Sequence, residues 1–509
     1  MSKKANAKKK KKINIVSTII GIIFLFLLVV FMGLIIYMDI LPTKYFAIIT
    51  GSLALLGIIF SLILFIPKIK GKLKIFASVF AVLFSAVFVF GIHKLYNTVD
   101  FLNKVTNTKY QLDNYYVVVL DNQTYDKLSD LGTDKMGFFV NDTKSYRKAE
   151  KKLKEKVKTK NTNYEDQYEL ANDLLDEQVD AMFINEAYKS SLDEEIEGFS
   201  AKTKIIETIS IKSKNKTIVK KVKVTKQSFN LYISGIDTYG KISSVSRSDV
   251  NMIVTVNPTT HQILLTSIPR DYYVQLHGTT GLKDKLTHAG IYGVDKSITT
   301  LEDLFKIDIN YYVRVNFSTL IDVVNIIDGI DIYSDKAFIP YTDPSVRIRQ
   351  GNQHLNGKQA LAFSRERYAY REGDRHRVQN QQTVITAIMD KMLKSKTLIS
   401  KYDSLLDTLS GSFQTNMNTN ELTSLIKKQI DTMAEWEIIS QSVNGTDSSN
   451  YTHSAPSQKA YVMEPDMSTV TAASEKIKEV LDDKKAETKT TTSTESTNAT
   501  NTTKKATNN

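Results

Sequence analysis

Arginines are concentrated in one stretch of this chain, whereas lysines occur along most of its length. Ten of the 11 arginines lie between Arg247 and Arg377, which is about a quarter of the 509 residues. A guanidinium group binds carboxylate or phosphate oxygens through two parallel hydrogen bonds and is only weakly hydrated. The stretch therefore predicts a site for an oxyanion, although a surface ion pair explains any single arginine equally well.

Two of these arginines are separated by one residue in the segment 364–367. If that segment is a strand, Arg365 and Arg367 point to the same face, because successive strand residues alternate between faces. Two positive charges side by side are stabilised by an anion between them. The pair therefore predicts phosphate binding.

A helix is predicted next, opening at Asp374 and carrying Arg377 one turn before Gln381. Its apolar stripe, traced backward from Ile385 at helical spacing, passes through Gln381 and Val378, so Gln381 faces inward. A helix N-terminus carries unpaired N–H groups and about half a positive charge, which suits a phosphate. Arg377 and Gln381 are therefore candidate phosphate ligands.

Acidic residues stand near the first strands of the same region. Asp237 follows a short strand, Asp249 comes two residues after Arg247, and Arg270 precedes Asp271 at the end of the next strand. Carboxylates that face an arginine-bound phosphate indicate Mg²⁺. Taken singly, Asp237 is more often a turn former and Asp249 more often a partner for Arg247.

Other catalytic classes find little support in the sequence. Cysteine is absent, and the seven histidines show no paired metal-ligand spacing, which argues against thiol chemistry and a zinc hydrolase. Neither a G-x-S-x-G elbow nor a phosphate-binding P-loop occurs, which argues against an α/β-hydrolase or an ATP-driven enzyme. A cation is the only cofactor that the pattern indicates.

Three uncharged runs near the N-terminus are long enough to cross a membrane. They cover Ile13–Met38, Tyr45–Ile66 and Ile75–Ile92, with 26, 22 and 18 residues, against about 20 for a ~30 Å hydrocarbon core. A cleavable signal peptide has a shorter apolar run and no further spans. We therefore predict a retained, three-span membrane anchor.

Most of the formal charge of +12 marks the topology of this anchor. Seven lysines precede the first run and four lie at 68–74, so these 11 account for all but +1 of the surplus. Lysine-rich segments stay cytoplasmic, which places the C-terminal part outside. The rest of the chain is nearly neutral and has no positive electrostatic field that would attract nucleic-acid phosphates. We therefore expect no nucleic-acid partner.

Two α/β units are predicted after the anchor. In the first, helices predicted at Tyr146–Val157 and Tyr168–Met182 alternate with strand-like segments. This unit contains only one arginine, Arg147, and no cluster of polar residues, so we interpret it as a binding or spacing unit. The second begins near Ser228 and combines a predicted hairpin, Val250–Val256 and Ile263–Ile268, with helices and further strands. We expect an α/β/α sandwich with a mixed central sheet.

The predicted fold class is therefore a membrane-anchored α/β protein. The expected segments are a cytoplasmic lysine-rich tail at 1–12, three transmembrane helices at 13–95, an external accessory domain at 97–227, a catalytic domain at 228–483 with its core motifs at 228–395, and a disordered Thr/Asn/Lys-rich tail at 484–509.

The order of motifs in the second unit resembles the LytR-CpsA-Psr family, and the three spans with an intervening accessory domain resemble its capsular polysaccharide branch. The matching motifs are Ser246-Arg247-Ser248-Asp249, Ser267-Ile268-Pro269-Arg270-Asp271, Asp284-Lys285-Leu286, Gln353-His354-Leu355-Asn356-Gly357-Lys358-Gln359-Ala360-Leu361, Ser364-Arg365-Glu366-Arg367, Gly373-Asp374, Arg377 and Gln381-Gln382. One departure is Asn380, where a basic residue is usual, together with an additional arginine at Arg375.

The resemblance implies transfer of a glycopolymer from a polyprenyl-pyrophosphate carrier to cell-wall peptidoglycan, with the lipid in an apolar tunnel. Implied partners are the lipid-linked polysaccharide, the peptidoglycan acceptor and membrane lipid, with capsule-synthesis membrane proteins as further candidates. The implied location is a multi-pass protein of a Gram-positive cell membrane whose large domain is extracellular.

The resemblance also assigns roles to individual residues. Asp237 and Asp249 would hold Mg²⁺, Asp374 would orient or deprotonate the acceptor hydroxyl, and Lys285 would assist the pyrophosphate. The implied catalytic residues are Asp237, Asp249, Arg270 and Asp374. The implied substrate-binding residues are Arg247, Arg270, Lys285, Arg365, Arg367, Arg377 and Gln381.

Two alternatives fit the same residues. A membrane regulator of capsule synthesis would bind the lipid-linked sugar without turnover, but its cytoplasmic parts are only short lysine-rich segments. A polyprenyl-pyrophosphate hydrolase would use water in place of the glycan acceptor at the same site, and water needs no dedicated pocket.

Overall fold

The computed structural model describes residues 2–39, 41, 43–106, 110–140, 143–214, 220–236, 242, 246–394 and 413–483. The predicted C-terminal tail at 484–509 lies outside these residues, as does Asp237.

The chain begins with three helices that pack against one another. They are α1 (Ser2–Met38), α2 (Thr43–Phe65) and α3 (Gly71–Thr106). Within the described residues, these three are long and apolar enough to cross a membrane, as the sequence predicted. Their outer faces expose large apolar side chains such as Phe26 and Phe90, which is expected where lipid is the solvent.

The last turn of α2 is closed by polar groups from both neighbouring helices. The Lys74 ammonium and the Ser17 hydroxyl donate to the Leu64 carbonyl at 3.2 and 3.3 Å. A helix C-terminus leaves carbonyls without an intrahelical partner, and apolar surroundings make an unpaired carbonyl costly. These two contacts therefore fix how the helices meet.

The accessory unit is built on a five-stranded mixed sheet in the described part of the chain, with strand order β3-β2-β4-β1-β5. Its strands are β1 (Tyr110–Leu120), β2 (Lys135–Phe139), β3 (Lys160–Tyr164), β4 (Ala181–Asn185) and β5 (Thr203–Lys214). Its helices are α4 (Lys144–Lys156), α5 (Gln167–Leu175), α6 (Glu186–Glu195) and α7 (Phe199–Lys202).

The central strand β4 is buried along its whole length, because helices or strands cover both faces of the sheet. Our helical interpretation of Tyr168–Met182 was therefore too long. The helix ends at Leu175, and Ala181 and Met182 belong to β4. A continuous apolar run does not distinguish a buried strand from a buried helix by its periodicity.

The second unit has a six-stranded mixed sheet among the described residues, with order β14-β11-β6-β7-β8-β15. These strands are β6 (Phe229–Ile236), β7 (Val250–Asn257), β8 (Gln262–Ile268), β11 (Tyr311–Asn316), β14 (Phe413–Thr415) and β15 (Glu437–Ser442). Strands β6 and β11 run parallel, whereas β7 and β8 form the predicted antiparallel hairpin.

Helices cover both faces of this sheet. Helices α9 (Val294–Phe305) and α14 (Met467–Leu481) bury one face, and α12 (Asp374–Lys394) buries the other through Ile385 and Met389. The predicted α/β/α arrangement with a mixed central sheet is confirmed.

The remaining elements surround this sandwich. They are β9 (Tyr273–Val274), β10 (Asp284–Lys285), α8 (Leu286–Ala289), α10 (Phe317–Ile326), β12 (Ile330–Ser334), β13 (Gly351–Leu355), α11 (Gly357–Arg365), α13 (Thr419–Thr432), β16 (Gly445–Thr452) and β17 (Ala455–Pro465). Strand β12 pairs with β13 in a separate hairpin, and this hairpin packs with α10, α11 and α12 around a core of its own.

Candidate functional site

A cavity of about 500 Å³ lies beside the carboxyl ends of β6 and β11. Crevices outside the carboxyl ends of strands are the usual ligand sites of α/β folds. Gly235 in β6 lets the strands approach closely here, because an added Cβ would lie 2.7 Å from Cβ of Val250. The backbone N–H of Asp249 donates to the Gly235 carbonyl at 2.8 Å, which holds this carboxylate next to the cavity.

Guanidinium groups dominate the polar part of the cavity wall. In the described residues, the lining contains five arginines and two carboxylates, Asp193 and Asp249. The imbalance of positive charge is stabilised by an anionic ligand. The lining arginines are Arg247, Arg270, Arg365, Arg367 and Arg377.

The rest of the arginine-rich stretch serves other purposes. Arg314, Arg347, Arg349, Arg371 and Arg375 are not among the lining residues that the structure describes. Arg314 is buried in β11 and donates to the Ser246 hydroxyl at 3.0 Å. Arg375 donates to the Gly445 carbonyl at 2.8 Å and pairs with Asp447 at 3.1 Å. The additional arginine of this chain therefore braces the β16–β17 hairpin.

Asp249 and Arg270 form a buried ion pair on the cavity wall. Arg270 Nη1 lies 3.1 Å from Asp249 Oδ1, and the Thr287 hydroxyl donates to the same oxygen at 3.2 Å. Burial favours the neutral acid, but Arg270, Arg247 and Arg377 outweigh it and lower the pKa of Asp249. The carboxylate is therefore ionised and fixes the direction of the Arg270 side chain.

Arg377 is held by the first turn of α12. Its Nη2 lies 2.5 Å from Asp374 Oδ1, one turn earlier on the helix. Burial and the nearby charge of Arg270 lower the pKa of the Arg377 guanidinium, so bringing an anion between the two arginines would relieve their repulsion. Asp374 itself is not among the described lining residues; it contacts the site through Arg377.

Arg365 and Arg367 reach the cavity by a different local structure from the predicted strand. Helix α11 ends at Arg365, and Glu366 then adopts an extended conformation with φ −71° and ψ 130°. The predicted strand is wrong because the preceding Asn356 starts a helix, its side chain accepting from the Gln359 N–H at 3.0 Å. The two guanidinium groups nevertheless line one cavity.

Another part of the cavity lining is apolar. It is formed by side chains from β6, β7, β11, α10, α11 and α12. These residues are Ile233, Ile236, Val250, Val315, Phe317, Leu320, Leu361, Val384 and Ile385. Gln381 on α12 follows Arg377 and precedes Val384 in the chain, and it also lines the cavity. A ligand with an anionic head and an apolar tail fits a lining that combines arginines with apolar side chains.

Lys285 is placed next to the site and not on its described lining. Its ammonium lies 3.1 Å from Glu195 Oε1 of the accessory unit and 3.9 Å from Asp271 Oδ1. Asp271 is buried, and burial raises its pKa despite the neighbouring Arg270. The motif that contains Lys285 therefore forms a contact between the second unit and the accessory unit.

The Mg²⁺ assignment rests on one described carboxylate. Asp249 supplies an ionised oxygen donor, the ligand type that Mg²⁺ prefers, so the donor chemistry fits the ion. Its predicted companion Asp237 lies outside the described residues, and no group of three or more His, Cys, Asp or Glu side chains within the described residues could hold a metal ion.

Sequence reasoning missed the contributions of three other segments. Ser190 and Asp193 from α6 line the cavity, which corrects our interpretation that the accessory unit lacks a polar cluster. Tyr341 and Tyr368 line it as well. The sequence carries no local signal for these residues, because each is distant in the chain from the strands that form the site. Asn380, the departure noted above, donates to the Phe363 carbonyl at 3.2 Å and joins α12 to α11.

Comparison with known proteins gives relatives that match about half of this chain. The chain is 32% identical over 277 residues to the polyisoprenyl-teichoic acid–peptidoglycan teichoic acid transferase TagV of Bacillus subtilis (strain 168), covering 51% of this chain and 66% of TagV. It is 32% identical over 213 residues to the transferase of the same description, TagU, of Bacillus mycoides (strain KBAB4), covering 42% of this chain and 68% of TagU. The crystal structure of B. subtilis TagV superposes with a TM-score of 0.43 and 31% identity, covering 50% of this chain and 98% of TagV's.

A family model matches the whole of the second unit. The LytR_cpsA_psr family model matches residues 195–499, more than half of the chain. This range contains every described arginine on the cavity wall and begins at Glu195, the accessory residue that contacts Lys285. The chain belongs to the LytR-CpsA-Psr family.

Proposed function

We propose that this protein transfers a glycopolymer from a polyprenyl-pyrophosphate carrier to cell-wall peptidoglycan at the outer face of a Gram-positive cell membrane. The observation that carries the proposal is one cavity whose described lining combines five arginines with a set of apolar side chains. A polyprenyl pyrophosphate has the same two parts, an anionic head and an apolar chain. TagV and TagU, by name, transfer teichoic acid from a polyisoprenyl carrier to peptidoglycan.

The proposed reaction mainly requires that the negative charge of the phosphate oxygens be neutralised. In the proposed step, an acceptor hydroxyl oxygen attacks the sugar-bearing phosphorus and forms a new P–O bond. The P–O bond to the lipid-bound phosphate breaks, and polyprenyl phosphate leaves. Phosphoryl transfer needs positioning and charge stabilisation more than a covalent catalyst. The arginines of the cavity lining, Arg367 among them, bind the phosphate oxygens in this mechanism. Asp249 orients Arg270.

We propose Mg²⁺ as the cofactor, bound by Asp249 and Asp237. The ion would offset negative charge on the pyrophosphate oxygens when bound. Asp374 is the proposed base for the acceptor proton, and its pairing with Arg377 places it one side chain from the cavity wall. Lys285 would act through Asp271 and the arginine beside it, because its ammonium faces that carboxylate.

Capsular polysaccharide is the polymer that we propose. Three membrane helices and an accessory unit precede the unit with the arginine cavity, and this arrangement is the one in which the sequence resembles the capsule branch of the family. The membrane helices suit a substrate whose lipid tail stays in the bilayer, because tethering raises the effective concentration of enzyme near it.

Purified full-length protein supplied with a polyprenyl-pyrophosphate-linked saccharide, Mg²⁺ and peptidoglycan fragments tests the proposal. We expect saccharide covalently bound to the fragments and release of polyprenyl phosphate, both detectable by mass spectrometry. If the lipid pyrophosphate is cleaved equally with and without fragments and no conjugate forms, the protein is a hydrolase. Tight lipid binding without cleavage would identify a regulator.

A further inference from the structure

Two tyrosines form an exposed pair at the cavity. Tyr341 is 70% exposed and Tyr368 is 60% exposed, yet both line the cavity that contains the arginines. Their ring centroids are 4.5 Å apart, with the ring planes tilted by 55°. Two aromatic rings in contact with each other and exposed beside a binding cavity form a contiguous patch, which marks a candidate ligand contact.

The pair is held in place by a buried carboxylate. Glu366 is 1% exposed, and its two oxygens accept from the backbone N–H groups of Tyr341, at 2.7 Å, and Ala369, at 2.8 Å. One side chain therefore ties together the two segments that carry the tyrosines. A contact surface fixed before binding loses less conformational entropy when the ligand arrives.

The same carboxylate connects the tyrosines to the phosphate-binding arginines. Glu366 lies between Arg365 and Arg367 in the chain. Arg367 Nη2 donates to the Tyr368 hydroxyl at 2.7 Å, and its guanidinium carbon lies 4.8 Å from the Tyr368 ring centroid. A phosphate bound at Arg367 therefore has the aromatic pair as its immediate neighbour.

We propose that Tyr341 and Tyr368 form a saccharide subsite that stacks on the sugar attached directly to the pyrophosphate. The inference rests on the proposed function, which supplies the pyrophosphate at Arg367. An aromatic ring carries partial negative charge on its face, which attracts the C–H groups of a pyranose ring. The sugar attached to the pyrophosphate lies one bond beyond the arginine-bound phosphate. The tyrosine pair lies next to that phosphate position, within reach of this sugar.

A membrane surface is the competing occupant for exposed tyrosines, because Tyr is enriched at the membrane–water interface. The saccharide is favoured by the contacts of the pair, since Tyr368 is bonded to a guanidinium that lines the cavity and Tyr341 to the carboxylate beside it. A membrane contact would need neither bond.

Binding of two probes to full-length protein in detergent micelles tests the subsite. The probes are a polyprenyl pyrophosphate and the same lipid carrying a single N-acetylhexosamine. We expect Tyr341→Leu to weaken binding of the saccharide-bearing lipid by about fivefold, with binding of the bare lipid unchanged. Tyr368 is kept in this test because its hydroxyl also accepts from Arg367. Tyr341→Phe keeps the ring and should retain the parent affinity.

Tyr333→Leu is the matched control, because Tyr333 is 61% exposed on β12 and is not among the described lining residues. Equal weakening for both probes would overturn the saccharide subsite in favour of a contact with lipid or membrane, and unchanged affinity for both would overturn it outright. A parent protein that binds neither probe would instead overturn the proposed function, whatever the tyrosines do.

Discussion

At the scale of single residues, the site is distinguished by repulsion between its own groups. Burial and the charge of Arg270 lower the pKa of the Arg377 guanidinium, and ionised Asp249 offsets only part of the surrounding positive charge. Such an arrangement is costly without a ligand and gains stability when an anion is bound. The same property favours binding of charge that is redistributed during phosphoryl transfer.

Shape as well as charge should matter at Arg365 and Arg367. Replacing either with lysine keeps the charge but removes the planar fork that donates two parallel hydrogen bonds to one phosphate. We expect kcat/KM to fall roughly 10- to 100-fold in the transfer assay. Arg375→Lys is the control, since Arg375 contacts the β16–β17 hairpin. Lysine variants as active as the parent would show that the two arginines contribute only their positive charge.

Asp249 should be required together with a divalent cation. Asp249→Asn removes the proposed metal ligand and leaves Arg270, whose side chain is 10% exposed, without its carboxylate partner on this side. We expect turnover to fall at least about 10-fold, and chelator to abolish turnover of the parent. Turnover measured with and without EDTA checks both. Undiminished turnover of Asp249→Asn in the presence of chelator would contradict the assignment. A circular-dichroism melt separates loss of the fold from loss of chemistry.

At the scale of elements, sequence patterns predicted those segments whose signals are local. The β7–β8 hairpin followed from its turn, where the Asn257 side chain accepts from the N–H groups of Thr259 and Thr260 at 2.9 and 3.0 Å. The predictions for the end of α5 and for the segment at Arg365 were wrong. Neighbouring elements determine where α5 ends, and a helix cap determines the structure before Arg365. The positions of Asp193 and Tyr341 at the cavity depend on tertiary packing, which local spacing does not record.

Helix α6 connects the accessory unit to the site. Glu195 at its end contacts Lys285 at 3.1 Å, and the Tyr168 hydroxyl donates to its other oxygen. Burial opposes ionisation of Glu195, but Lys285 and His288 outweigh burial and lower its pKa. A carboxyl whose pKa is lower in the folded state stabilises that state above the unfolded pKa, and the contribution disappears as the pH falls through the folded value.

Glu195→Ala should therefore loosen the accessory unit. Lys285 is 9% exposed and would lose its nearest carboxylate, at a cost of about 3 kcal/mol. We expect a lower thermal midpoint and faster hydrogen exchange in α6. Glu150→Ala is the control, because it breaks the solvent-exposed pair with Lys154, for which little change is expected. Unchanged exchange in α6 would show that Glu195 does not hold the two units together.

At the scale of the whole molecule, the membrane helices and the second unit meet on one side. The Lys427 ammonium of α13 lies 2.6 Å from Asp39 Oδ1, just after α1. The α1–α2 connection and the second unit are therefore on the same side of the helices. The lysines at 68–74 follow α2, at the opposite ends of the helices from Asp39.

We predict that the N-terminus is cytoplasmic and that everything after Leu95 is external. Both lysine-rich segments, the first turns of α1 and residues 68–74 around the α2–α3 connection, then lie on the cytoplasmic side, which agrees with the bias of basic residues in membrane proteins. Protease added to intact protoplasts should remove both α/β units and leave an N-terminal epitope tag intact. The tag should become sensitive only after detergent is added, which controls for protease access. Full protection of the α/β units in intact protoplasts would overturn this topology and, with it, a reaction on the outer face.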